Sequence, residues 1–179
     1  MSTEAHNIEF GDIRTNQNEN LYELSQKQPV LLVFLRQLGC MFCKEAMTRL
    51  GNSREYITAT GVKIVLVHMA DSNAKAQKIL KKYNLEGLDI IADPSCAYYV
   101  RFGLAKSTVS QLFGFTAWAR TIEYGFVKAK HGIQVPIGDG FQMAGMFILQ
   151  NGEIINRQMQ QEVYDIPDDF EGFISCCAI

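Results

Sequence analysis

A continuous apolar run, Val30-Leu31-Leu32-Val33-Phe34-Leu35, leads almost directly into Cys40-Met41-Phe42-Cys43 and then into the helix-patterned segment Lys44 to Leu50. An apolar run of strand length with no alternation is expected for a central strand covered on both faces. Two cysteines separated by two residues can close a disulfide only where the backbone turns tightly, and the first turn of a helix supplies that turn. It also supplies unsatisfied N–H groups and the positive end of the helix dipole, which stabilise a thiolate. A C-x-x-C between a buried strand and a helix, in a chain whose first twenty residues carry no apolar leader core, is the redox form of the motif. The expectation is a reactive dithiol.

The pattern downstream repeats the strand–helix theme. Glu19 to Gln26 reads as a short helix ended by Lys27-Gln28-Pro29, and the helix after Cys43 is expected to stop near Gly51-Asn52-Ser53, with Arg54 to Thr58 as an extension past a kink. Val62 to Val67 reads as a second strand. Asp71-Ser72-Asn73 caps a helix from Ala74 to Tyr83. Leu88 to Ala92 is a third strand, Asp93-Pro94 a stop, and Ser95 to Phe102 a helix closed by Gly103. Alternation of this kind predicts an α/β fold with helices on both faces of the sheet and right-handed crossovers. Leu104 to Phe141 breaks the rhythm with Phe113, Phe115, Trp118, Tyr124 and Phe126. Order returns with Ala144 to Gln150, the hairpin signal Asn151-Gly152, and Glu153 to Gln158. Asp168 to Cys176 reads as a last helix. The domain division is an N-terminal arm over 1–18 and one domain over 19–179, with the insertion at about 104–141.

Composition narrows the function classes. Seventeen basic against nineteen acidic residues leave a net charge of −2. Nothing there attracts phosphate backbones or anionic lipid, so nucleic acid and membrane are not expected as partners. No apolar stretch approaches the roughly 18 residues that span a bilayer. The expected location is the cytoplasm, where the five cysteines are reduced at rest.

Parallel strands with a C-x-x-C at the first helix, then an antiparallel hairpin and a closing helix, resemble the thioredoxin fold. Three stretches are similar to the peroxiredoxin-like branch of the AhpC/TSA antioxidant family. They are Arg36-Gln37-Leu38-Gly39-Cys40-Met41-Phe42-Cys43 after the apolar strand, Asp93-Pro94 to Phe102-Gly103, and Gly138-Asp139 with Gln142 to Phe147. The resemblance implies a thioredoxin-like fold with a central mixed sheet flanked by helices and an aromatic-rich insertion before the C-terminal hairpin. It implies a thiol-dependent oxidoreductase that reduces peroxides through a reversible Cys40/Cys43 dithiol, with Arg36 as the arginine nearest the thiols in sequence. Arg101 and Arg120 are the other candidates. Implied partners are a peroxide or disulfide substrate and a thiol electron donor of the thioredoxin or glutathione type, with a homodimer as the candidate assembly. No organic cofactor is implied, because the sulfurs carry the electrons.

Two alignments disagree about the nucleophile. Against the peroxiredoxin signature Pro-x-x-x-Thr-x-x-Cys, Cys43 falls on the attacking cysteine; against thioredoxin, Cys40 does. Ala144 falls where thioredoxins carry a cis-proline and peroxiredoxins an arginine. A thioredoxin-like protein disulfide reductase and a non-enzymatic redox-responsive binding protein are therefore the alternatives. A zinc site needs four ligands, and no second C-x-x-C or histidine pair at ligand spacing is present. Among the remaining residues, Cys96 reads as a small buried side chain or a distant resolving thiol, and Cys176-Cys177 as a frayed tail or a resolving pair. For Cys176-Cys177 the default is the frayed tail, with a resolving cysteine reaching a partner subunit and, with Ala178-Ile179, a superficial prenylation box as the alternatives. His68 reads as a strand-end residue rather than a base, His6 and His131 as arm and loop residues, and Phe113 to Phe126 as a wall over the thiols or a packing cluster.

Overall fold

The computed structural model describes residues 8–35, 38–104, 106, 141–161, 165 and 169–177. Arg36, Arg120, His6, His131 and nearly all of the aromatic insertion, including Phe113 to Phe126, lie outside the described residues. The elements in chain order are α1 (Leu21–Lys27), β1 (Val30–Phe34), α2 (Met41–Ala59), β2 (Lys63–His68), α3 (Asn73–Leu80) continued by a 3₁₀ turn (Lys81–Tyr83), β3 (Asp89–Ala92), α4 (Ala97–Arg101), β4 (Gly145–Gln150), β5 (Glu153–Met159) and α5 (Phe170–Ile174).

The strands form one sheet in the order β3-β2-β1-β4-β5. β1 is central, parallel to β2 and antiparallel to β4, and β2 is parallel to β3. All five residues of β1 are buried, and they divide by parity as the pleat requires. Leu31 and Val33 join the core that α2, α3 and α5 cover; Val30, Leu32 and Phe34 join the core that α1 and α4 cover. The unbroken apolar run is thus two alternating faces, each with its own helical layer. This is the three-layer mixed sheet expected from the sequence.

Local chemistry sets most boundaries. Asn20 caps α1 through its Oδ1, which accepts the Glu23 N–H (3.1 Å), and Ser72 caps α3 from the Lys75 N–H (3.3 Å). Asn151 and Gly152 turn the β4–β5 hairpin with φ of 54° and 80°, the left-handed pair that a two-residue type I′ turn needs. Residues 8–18 of the N-terminal arm pack onto the α1/α4 face: Phe10 and Ile13 are buried there, and Asn16 bonds both main-chain groups of Ile90 on the β3 edge (2.8 Å each). At that end of the sheet Lys63 bridges Glu19 and Asp89, with Nζ 2.8 Å from the Asp89 Oδ2.

One boundary differs from expectation. α2 does not stop at Gly51-Asn52-Ser53 but runs unbroken to Ala59. Gly51 instead sits where the chain after α3 crosses the helix: a Cβ built on it would stand 1.9 Å from the Tyr83 carbonyl oxygen. The glycine is there for a close approach of two backbones rather than for a turn.

Candidate active site

The dithiol lies where β1 hands over to α2. β1 ends at Phe34, and Leu35 stays tied to β2 through its N–H, bonded to the Val67 carbonyl (2.8 Å). The hydroxyl of Tyr99, fully buried in α4, donates to the Leu35 carbonyl (2.5 Å), with the Val67 carbonyl 3.2 Å away. Burial pushes the Tyr99 phenol well above its ordinary range, so it stays a donor. Gly39 has φ of 100°, a conformation that excludes a Cβ, and it delivers Cys40 to the helix N-cap.

Cys40 has extended backbone at that N-cap, and its carbonyl accepts the Lys44 N–H (3.0 Å). Cys40 is half-buried, whereas Cys43, one turn on, is 3% exposed within the core under α2. Both carry thiols. The two sulfurs of the motif therefore occupy different environments: one meets solvent at the positive end of a 19-residue helix, the other lies behind it. Lys44 is also buried. Glu45, the acid closest in sequence, is held by Arg49 one turn along (3.1 Å), which offsets its charge beside the thiols.

Ala144 precedes β4, whose first residue Gly145 pairs with Phe34. This places it at the same sheet edge as the dithiol. No cis peptide occurs among the described residues. The Ala144 N–H donates to the Gln160 Oε1 (3.0 Å), and its carbonyl accepts the Gln160 N–H (3.0 Å). Both of its main-chain groups are thus engaged by the chain itself.

Other sequence candidates separate from this site. Arg101 is committed to Asp12 and lies over the Tyr98 ring, 5.3 Å from its centroid. Cys96 is buried in the α1/α4 core with Sγ 3.4 Å from the Met69 sulfur, and it serves there as a small apolar side chain. Cys177 is buried in the core under α2, where burial first and Cys176 second push its thiol up to about 11; Cys176 is exposed. Among the described residues no cluster of three or more histidine, cysteine, aspartate or glutamate side chains could hold a metal ion. No helix among them is long and apolar enough to cross a membrane.

Asp93, expected as part of the Asp93-Pro94 stop, and Tyr99, for which no role was expected, are positioning residues. Asp93 is buried, and its carboxylate accepts the N–H groups of Ala97 (2.9 Å), Tyr98 (2.7 Å) and Tyr99 (3.3 Å) at the start of α4. The Asp-Pro pair before a helix is a recognisable cap signal. Tyr99 carried no signal, because its partner lies 64 residues away.

His68 closes β2 fully buried. Its Nδ1 accepts the Ala70 N–H (3.2 Å), so Nε2–H donates to the Asn73 Oδ1 (3.0 Å). Burial holds the imidazole below its ordinary pKa of 6.5, outweighing the Asn73 bond. The unfolded chain therefore binds a proton that the folded chain refuses. The stabilisation is complete above 6.5 and is lost as pH falls through that value toward the folded pKa. Urea unfolding between pH 7.5 and 5 should show a decline with a slope of up to about 1.4 kcal/mol per pH unit from this group. His68→Gln should flatten that part of the decline, and an unchanged slope in the variant would locate the proton uptake elsewhere.

Comparison with known proteins agrees with this architecture. The chain is 26% identical over 175 residues to the prostamide/prostaglandin F synthase of Salmo salar, covering 91% of this chain and 83% of that protein. Peroxiredoxin 6 of Arenicola marina superposes with a TM-score of 0.59 at 10% identity, over 89% of this chain and 66% of that one. Reduced Prx3 of Vibrio vulnificus, solved with hydrogen peroxide, gives 0.56 at 16% identity, over 89% and 88%. The fold extends to a DsbE-type thiol:disulfide interchange protein of Chlorobium tepidum, with a TM-score of 0.51 at 14% identity, over 82% and 77%. The AhpC/TSA family model matches residues 2–155, and the chain, with its thioredoxin-like sheet and its dithiol at the head of α2, belongs to the AhpC/TSA family.

Proposed function

We propose that this protein is a thiol-dependent oxidoreductase that reduces peroxides, with Cys40 as the attacking sulfur and Cys43 as the resolving one. The observation that carries this reading is the difference in burial across the first turn of α2: Cys40 is reachable at the N-cap, and Cys43 waits behind it in the core. The Cys40 thiolate attacks one peroxide oxygen and the O–O bond breaks. The other oxygen leaves with a proton as an alcohol or water, and Cys40 becomes a sulfenic acid. The Cys43 sulfur then displaces the sulfenic oxygen as water, closing the disulfide. An external thiol donor, one dithiol of the thioredoxin type or two equivalents of a glutathione-type monothiol, reopens it by exchange and leaves as its own disulfide. Organic hydroperoxides stand beside hydrogen peroxide as candidate substrates, since the salmon relative is named a prostamide/prostaglandin F synthase rather than a hydrogen peroxide reductase.

A second observation weighs against the disulfide-reductase alternative. A protein substrate would gain main-chain hydrogen bonds by lying along a residue at the position of Ala144. There, however, the donor and the acceptor are both taken by Gln160. A small substrate needs neither group.

The test is a rapid-mixing titration of the reduced protein with hydrogen peroxide and with an apolar organic hydroperoxide, followed by thiol counting and mass spectrometry, beside an insulin-reduction assay. The expected result is loss of two thiols per peroxide consumed, with turnover when a thioredoxin system is supplied. Oxidation no faster than that of a free thiol, combined with rapid insulin reduction, would replace this reading with the reductase one.

A further inference from the structure

A groove of about 520 Å³ opens beside the end of β5, lined by Lys106, Met143, Arg157, Gln158, Met159 and Gln160 with their neighbours. Residues directly opposite in an antiparallel pair point to the same face. Arg157 is opposite Phe147, and Met159 is opposite Gly145. Phe147 belongs to the core covered by α1 and α4, as does Leu104, whose Cδ2 would stand 2.5 Å from a Cβ on Gly145. Cys43 and α2 belong to the other face. The Arg157 and Met159 side chains therefore point to the side of the sheet opposite Cys43.

Its lining has a consistent chemistry. The charged side chains among the described lining residues, Lys106 and Arg157, are both cationic. Arg14, Arg49, Arg54 and Arg101 each spend their guanidinium on a carbonyl or carboxylate of the chain. Among the described residues Arg157 alone of the arginines makes no such bond; only its main-chain N–H is engaged, by the Asn156 Oδ1 (2.9 Å). Asp165, a few residues beyond the lining, turns its Oδ2 onto the Gln161 N–H (3.0 Å). Met143 is buried and Met159 is 39% exposed, so thioether surface runs from the floor to the rim. Methionine adapts to irregular apolar shapes, and the volume falls within the range of small-molecule sites.

We propose that this groove binds a small amphipathic anion, a carboxylate with an apolar body, its head group on the Arg157 fork and its body against Met143 and Met159. A guanidinium with no intramolecular bond matches a carboxylate through two parallel N–H donors. The head group would sit on the face of the sheet opposite Cys43, and the proposal does not depend on the peroxidase reading.

Calorimetric titration with sodium decanoate tests it. Saturable binding is expected, weakened roughly tenfold or more by Arg157→Gln and comparably by Met159→Glu. Both positions are exposed, so the variants should fold, as far-UV circular dichroism would verify. Tyr56→Glu, an exposed change on α2, and the Cys40→Ser/Cys43→Ser protein should bind as the wild type does. The proposal is overturned by an absence of saturable binding, by equal affinity in Arg157→Gln, by equal affinity for uncharged decanol, or by loss of binding in the cysteine variant.

Discussion

Cys40→Ser is expected to lower peroxide turnover by roughly a thousandfold or more, because serine at an attacking position has no thiolate to offer. Cys43→Ser should fail differently. Its Cys40 remains half-buried at the N-cap of α2, so one equivalent of peroxide is still reduced rapidly. The sulfenic acid then persists, since the buried sulfur that would displace its oxygen is gone. Rapid mixing followed by dimedone labelling and intact-mass measurement separates the two outcomes. Labelled Cys40 in Cys43→Ser, with little fast oxidation in Cys40→Ser, supports the proposed order. The opposite pattern would make Cys43 the attacking sulfur, as the peroxiredoxin alignment has it, and would require the first turn of α2 to open so that peroxide reaches a side chain now 3% exposed.

Gly51→Ala should destabilise the fold by about 2–3 kcal/mol, against the usual sign of such a change. In an exposed helix, replacing glycine with alanine gains about 1 kcal/mol. At this position the new methyl would sit 1.9 Å from the Tyr83 carbonyl oxygen, a backbone atom that no rotamer change can move. The residue after that contact, Asn84, is tied to α2 twice: its Nδ2 donates to the Gly51 carbonyl (3.4 Å), and the Arg54 Nη1 donates to its carbonyl (2.8 Å). Relief of the overlap means separating two packed segments, and overpacking of that kind costs about 1–3 kcal/mol or more. Chemical denaturation of the reduced protein measures the difference. A stabilised variant would show that the two backbones are not in contact.

The elements that sequence reading located share a property: their signal lies within a few residues. The β1 run, the α3 cap at Ser72 and the Asn151-Gly152 hairpin are each specified by side chains that act on their own neighbourhood, and all three appear where the pattern put them. The α2 end was misplaced for the same reason. Read locally, Gly51 is a helix breaker, but its purpose is fixed by Tyr83, far along the chain. Arg101 was a candidate to serve the thiols on grounds of charge alone, yet its partner Asp12 lies 89 residues away, a distance over which periodicity carries no information.

A buried strand presenting Cys40 and Cys43 at the head of a helix, within a sheet layered by helices on both sides, is legible in the chain, because hydrophobic period and turn chemistry are local quantities. Which sulfur faces outward is set by packing. That depends on how α2 is rotated about its axis against the sheet, which the whole core under it sets. The same holds for the Tyr99 bond that anchors the end of β1, and for the cationic groove beside β5. Each joins residues that become neighbours only after the chain has packed.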